Sequence, residues 1–187
     1  MLSDKIGGPS VYPPQPDGVY AFTQRKKNWR VSGGEDRYRR GMYTFFYRSA
    51  PYPMLTTFDA PKFNQSCTQR VRSNTPLQSL TVANAEAMFE MTRALARRVL
   101  LKSAEGSGDQ QRLQRMFRIC FARPPVDAER DCLVRFFSSQ REHFAANADA
   151  AQAVAEAMPE SVSAAEAAAW VATARVLLNL DEFITRE

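Results

Sequence analysis

A mainly α fold is what this sequence predicts, and three observations predict it. Apolar residues recur at helical spacing: Leu113, Met116, Phe117, Cys120 and Phe121 make one stripe of the kind an amphipathic helix buries. Ser or Thr stands three residues before Glu or Gln at Ser32–Glu35, Thr75–Gln78 and Ser163–Glu166, a reciprocal pattern that opens helices. No segment sustains the apolar–polar alternation of a half-buried strand. The expected architecture is an irregular, Pro-, Gly- and aromatic-rich segment, residues 1–34, wrapped on a bundle of about five helices in residues 35–187, all in a single domain.

Each element has its own warrant. In residues 5–34, Gly7-Gly8-Pro9, Pro13-Pro14-Gln15-Pro16, Asp17-Gly18 and Gly33-Gly34 break regular structure, while Tyr12, Tyr20, Phe22 and Trp29 supply apolar anchors. A first helix is expected from Ser32, with Tyr38, Met42, Phe45 and Phe46 on its apolar side and Pro51 and Pro53 stopping it. Residues 50–74 show no periodicity, and so long a loop implies function or hidden turns. Thr75-Pro76-Leu77-Gln78 combines a cap, a first-turn proline and a returning amide. Leu77 and Leu80 are expected to begin its buried face, continued by Met88, Met91, Leu95 and Val99, with a break possible at Asn84-Ala85-Glu86. Further helices are expected from Asp109 and from Asp127, the latter with Leu133, Phe136, Phe137, Gln140 and Phe144 along one side. Residues 145–174 hold 15 alanines, a strongly helix-favouring composition. Pro159 splits that region, and Trp170, Val171, Ala174, Leu177 and Leu178 form the last face.

The 187 residues carry a net charge of +5, unevenly placed. Residues 1–80 hold 12 Lys and Arg against 5 Asp and Glu, and 12 of the 20 aromatic residues; residues 81–187 hold 13 basic against 15 acidic residues. A basic half attracts phosphates, acidic glycans or acidic protein surfaces, unless its arginines pair internally. No run reaches the roughly 18 apolar residues of a membrane span, and no signal peptide opens the chain.

Three groups of residues are candidates for chemistry. Arg37, Arg39 and Arg40 alternate with Tyr38, Tyr43 and Tyr47, as arginines that hold anions alternate with rings that stack. On the expected helix, arginines and rings would instead divide between a solvated face and a core face. Arg37, Tyr38, Arg40, Asp59, Arg70 and Arg72 are the candidate binding residues. Glu35, Asp36 and Asp59 are the carboxylates from which a hydrolytic pair would come, although helix starts favour acids for their own reasons. Cys67, Cys120, Cys132 and the lone His143 lack metal-ligand and haem-attachment spacing. Cys120 and Cys132 could meet across the Pro124-Pro125 turn, but a buried free thiol is the preferred reading. No catalytic residue and no metal site is assigned.

Several motifs stand in a fixed order: Gly7-Gly-Pro-Ser-Val, Gly34-Glu-Asp-Arg-Tyr-Arg-Arg, Tyr43-Thr-Phe, Phe58-Asp-Ala-Pro, Asn74-Thr-Pro-Leu-Gln and Leu178-Asn-Leu-Asp-Glu-Phe. Together they resemble the planctomycete-type domain of unknown function found near the C-terminus of large exported bacterial proteins. The resemblance implies neighbouring cytochrome c-like domains and a second domain of unknown function. It implies a cell-envelope or periplasmic location, no haem in this chain itself, and a beginning that corresponds to the C-terminal part of a longer protein. The function it favours is a helical accessory or interaction module that docks on those N-terminal domains, with a glycan as a further ligand. Alternatives are a partial enzyme domain with its site in residues 32–79, and a nucleic-acid or polyanion binder using the basic half. Nucleic acid is not the expected partner.

Overall fold

The computed structural model describes residues 3–23, 27–62, 65–69, 73–102, 108–159 and 161–185. Among them the protein is mainly helical, with no named strand. Contacts within the chain cluster into two compact units, Met1–Met88 and Phe89–Glu187.

The first unit is built on irregular backbone. Two 3-10 turns, Gly34–Tyr38 and Gly41–Tyr43, precede a short α1, Pro53–Thr57. The helix expected from Ser32 does not form. The Ser32 hydroxyl accepts from the Tyr12 N–H at 3.0 Å rather than capping Glu35, and Gly34 sits at φ +58, outside the helical region. Beyond the second turn Thr44 is extended: Val11 donates to the Tyr43 carbonyl and Phe45 to the Val11 carbonyl, both at 2.8 Å, in an isolated parallel bridge. An aromatic run suits this pleated geometry better than a helix. It sends Phe45 and Tyr47 together into a ring cluster with Tyr12, Tyr20, Trp29 and Tyr52. Met42, expected inside, is 75% exposed.

Helix α2, Pro76–Asn84, opens as expected: the Thr75 hydroxyl accepts from the Gln78 N–H, and the Gln78 side-chain oxygen Oε1 accepts from the Thr75 N–H. Its buried face is Gln78 and Val82, not the leucines. Leu77 and Leu80 are 60% and 59% exposed. Periodicity identifies a helix's stripes, but the neighbouring elements decide which stripe is covered. Ala85 leaves helical backbone, and α3, Glu86–Lys102, follows at once.

The second unit is a helical bundle. It contains most of α3, then α4 (Asp109–Phe121), α5 (Asp127–Ala146), α6 (Ala148–Val154), α7 (Ala164–Leu178) and α8 (Asp181–Ile184). Helix α7 packs against α5 and α6. Alanines 167, 168 and 169 are almost wholly buried and leave space for close approach, while Trp170 fills the centre 4.4 Å from the Phe137 ring. Of the expected faces, Leu113, Met116, Phe117 and Cys120, then Leu133, Phe137 and Phe144, and Trp170, Val171, Ala174, Leu177 and Leu178 are buried, while Phe121, Phe136 and Gln140 are only half-buried. Ser163 caps α7 through the Glu166 N–H at 3.3 Å. Val126, not Asp127, occupies the cap position of α5, and the Glu129 carboxylate reaches back to its N–H at 2.8 Å.

Candidate functional site

The aromatic-and-arginine region of the first unit works as a set of internal ties. Gly7 and Gly8 turn with φ +77 and +92, values that strain any residue with a Cβ. Arg39, 6% exposed, holds this turn: one nitrogen donates to the Lys5 carbonyl at 2.9 Å and the Gly7 carbonyl at 2.6 Å. Its guanidinium lies 3.6 Å from the Tyr43 ring centroid, a cation–π contact. The Tyr43 oxygen accepts from the Gly7 N–H at 3.0 Å, which lowers its pKa below the ordinary tyrosine value. Trp29 stacks on Tyr52 at 5.7 Å and donates to the Pro13 carbonyl at 2.8 Å. Tyr52 donates to the Pro14 carbonyl at 2.7 Å, and burial pushes its hydroxyl up to about 12. Prolines have no N–H but keep a carbonyl, and here the rings take both carbonyls.

The candidate binding residues are dispersed among such ties. Arg37 pairs with Glu86 at 2.7 Å. Tyr38 is half-buried, and its carbonyl accepts from the Ser3 N–H at 2.8 Å. Arg40 is exposed, 5.9 Å from the Tyr43 centroid. Because no helix forms here, the expected division between an arginine face and a ring face does not exist. Asp59, at φ +50, accepts from Ser73 and from the Gln78 amide. Of the three carboxylates, Asp36 pairs with Lys5 at 3.3 Å and Glu35 is exposed. Arg70 and Arg72 lie outside the described residues.

Two residues in this region carry more than their sequence context announced. Gln78 is 2% exposed and joins α1 to α2: besides the capping bond it donates to the Thr57 carbonyl at 2.9 Å and to Ser73 at 2.6 Å. The capping motif was its only signal. Arg39 is the buried arginine of the three near it, which spacing on an imagined helix could not show. Beside α1 lies an open groove of about 840 Å³, lined by Phe46, Leu55, Pro61, Arg48 and Lys62 among others.

In the second unit, Arg123 bridges Glu129 at the start of α5 and Glu182 of α8, at 2.8 and 2.6 Å. Its hydrogen bonds hold both carboxyls below the usual carboxylate range. Arg93 ties α3 to the Ala153 and Val154 carbonyls and to Glu156. The cysteines are free: Cys120 is buried, and burial pushes its thiol up to about 12, while Cys67 and Cys132 are exposed. His143 is exposed and edge-on to Phe144. Among the described residues, no group of three His, Cys, Asp or Glu side chains is arranged to hold a metal ion. No helix among them is long and apolar enough to cross a membrane.

The protein is therefore mainly helical, with an irregular N-terminal stretch tied by aromatic rings and by Arg39. The family model PSD1, described as proteins of unknown function (DUF1553), matches residues 1–137, and the chain belongs to that family. This bears out the resemblance read from the ordered motifs. The match ends before the Leu178–Phe183 motif, so it covers less of the chain than those motifs suggested. No curated protein and no solved structure matches.

Proposed function

We propose that this chain is an accessory docking module of a larger cell-envelope protein, working beside cytochrome c-like domains. The observation that carries the reading is how the first unit uses its surface. Tyr12, Tyr20, Trp29, Tyr43, Phe45, Tyr47 and Tyr52 and several of its charged groups are engaged in internal ties, while α2 presents Leu77 and Leu80 outward at adjacent helical positions. Exposed large apolar side chains grouped on one face mark interaction surfaces. The resemblance to domains that accompany cytochrome c-like domains supports that kind of partner.

The test is chemical crosslinking in envelope fractions of the cells that make the protein, followed by haem staining and mass spectrometry. A haem-bearing polypeptide, or a haem-bearing segment of the same polypeptide, crosslinked to this region is expected. Crosslinks that map only to haem-free proteins would sink the cytochrome-associated reading. In parallel, Leu77→Asp with Leu80→Asp is expected to reduce those crosslinks while leaving the melting temperature nearly unchanged, since both side chains are already exposed.

A further inference from the structure

We infer that the groove beside α1 binds an acidic peptide segment, whose apolar side chains enter between Phe46, Leu55 and Pro61 while its carboxylates meet Arg48 and Lys62. The inference deepens the docking reading above and rests on it.

The groove follows from the backbone. Thr44 is extended and bridged to Val11, and the side chains after it alternate in direction. Phe45 and Tyr47 enter the ring cluster, leaving Phe46 on the other side, where it lines the groove, with Arg48 two residues further on. Pro53 starts α1, and Leu55 packs so close to Gly41 that a Cβ there would lie 3.0 Å from it. Asp59, in left-handed backbone, then turns the chain, and Pro61 and Lys62 beyond it also line the groove. The volume of about 840 Å³ lies within the usual range for ligand sites.

Charge selects the occupant. Arg48 and Lys62 have no side-chain hydrogen bond or ion pair among the described residues, and the groove's one carboxylate, Asp59, is engaged by Ser73 and Gln78. Arg37, Arg93 and Arg123, by contrast, all have carboxylate partners. Two cations flanking an apolar trough complement a chain that alternates acid and hydrocarbon. Phe46, Pro51, Leu55, Ala60 and Pro61 give the lining its apolar part, which suits the hydrocarbon side chains of a peptide.

Fluorescence anisotropy of a labelled peptide of alternating aspartate and leucine, titrated with the full chain, tests this. The peptide is expected to bind, to weaken with added salt, and to lose at least about tenfold in affinity, or 1.4 kcal/mol, in R48E/K62E. The lysine–leucine counterpart is expected not to bind. R48Q/K62Q serves if the charge reversal impairs folding, which a thermal melt checks. Equal binding of acidic and basic peptides, no binding of the acidic one, or an unaffected double variant each overturns the inference. Binding of polygalacturonate in place of the peptide also overturns it, and would assign the groove to acidic glycans. The crosslinking experiment separates this inference from the broader one. A haem-bearing partner captured equally by wild type and R48E/K62E spares the docking reading and removes the groove from it. Peptide binding with no such partner captured does the reverse.

Discussion

The two units solve the same problem by different physics. The second unit hides hydrocarbon: Trp170, Leu113, Met116, Phe137 and Val99 are all less than 2% exposed, in helices whose own backbone bonds are satisfied internally. The first unit has much irregular backbone, and irregular backbone leaves carbonyls that must find partners. It finds them in side chains: Arg39 for Lys5 and Gly7, Trp29 for Pro13, Tyr52 for Pro14 and Gln78 for Thr57. Arg39, Trp29, Tyr47 and Tyr52 thus supply hydrogen bonds to a segment that cannot supply its own. The lesson is that an aromatic- and arginine-rich stretch need not be a ligand site when glycine and proline surround it.

The sequence contains two tryptophans, one in each unit, so their fluorescence can follow the units separately in single-tryptophan variants. The largest effect is expected from Trp170→Ala, which empties the centre of the second unit and should cost about 3–5 kcal/mol. A loss below about 1 kcal/mol in a denaturant melt would mean that Trp170 is not the packing centre. Next comes Arg39→Lys. A lysine keeps the charge but cannot spread a planar fork over Tyr43 while donating to two carbonyls. It is expected to cost about 1–3 kcal/mol, read from Trp29. If lysine is as good as arginine, the clamp is not what holds the Gly7-Gly8 turn.

A smaller contrast lies within one helix. Thr75→Ala removes a cap and should cost about 0.5–2 kcal/mol, whereas Leu80→Ala, at a site 59% exposed, should stay within about 0.5 kcal/mol. Sequence alone would have ranked them the other way, and equal effects would return Leu80 to the core. The smallest effect is that of pH on the Arg123 bridge. Glu129 and Glu182 have folded-state pKa values below their unfolded ones, first because of the bonds from Arg123. Their contribution is therefore complete above the ordinary glutamate value of about 4.3 and is lost as pH falls through the lowered folded values. Hydrogen exchange in α8 should speed up in acid in the wild type, and Arg123→Gln should flatten that dependence. An identical acid response in the variant would remove the bridge as its cause.

Sequence by itself determined the helices α3, α4, α5 and α7, the box at Thr75 and the family, because all rest on local spacing, whereas α8 (Asp181–Ile184) and the break between α5 and α6 were not read from it. A helix satisfies its own backbone, so the 3.6-residue repeat of Leu113–Cys120 or of Trp170–Leu178 carries its full meaning without a partner. Tertiary structure decided what local spacing could not hold. Ser32 looked like a cap until Tyr12, 20 residues away, took its hydroxyl. Tyr38, Met42, Phe45 and Phe46 fitted a helical stripe until Val11 paired with the backbone on either side of Thr44. Leu77 and Leu80 fitted a buried face until Gln78 took the inside of α2 for its bonds to α1. In each case a distant group competed for the same hydrogen bond or the same surface, and only the folded chain shows which group won.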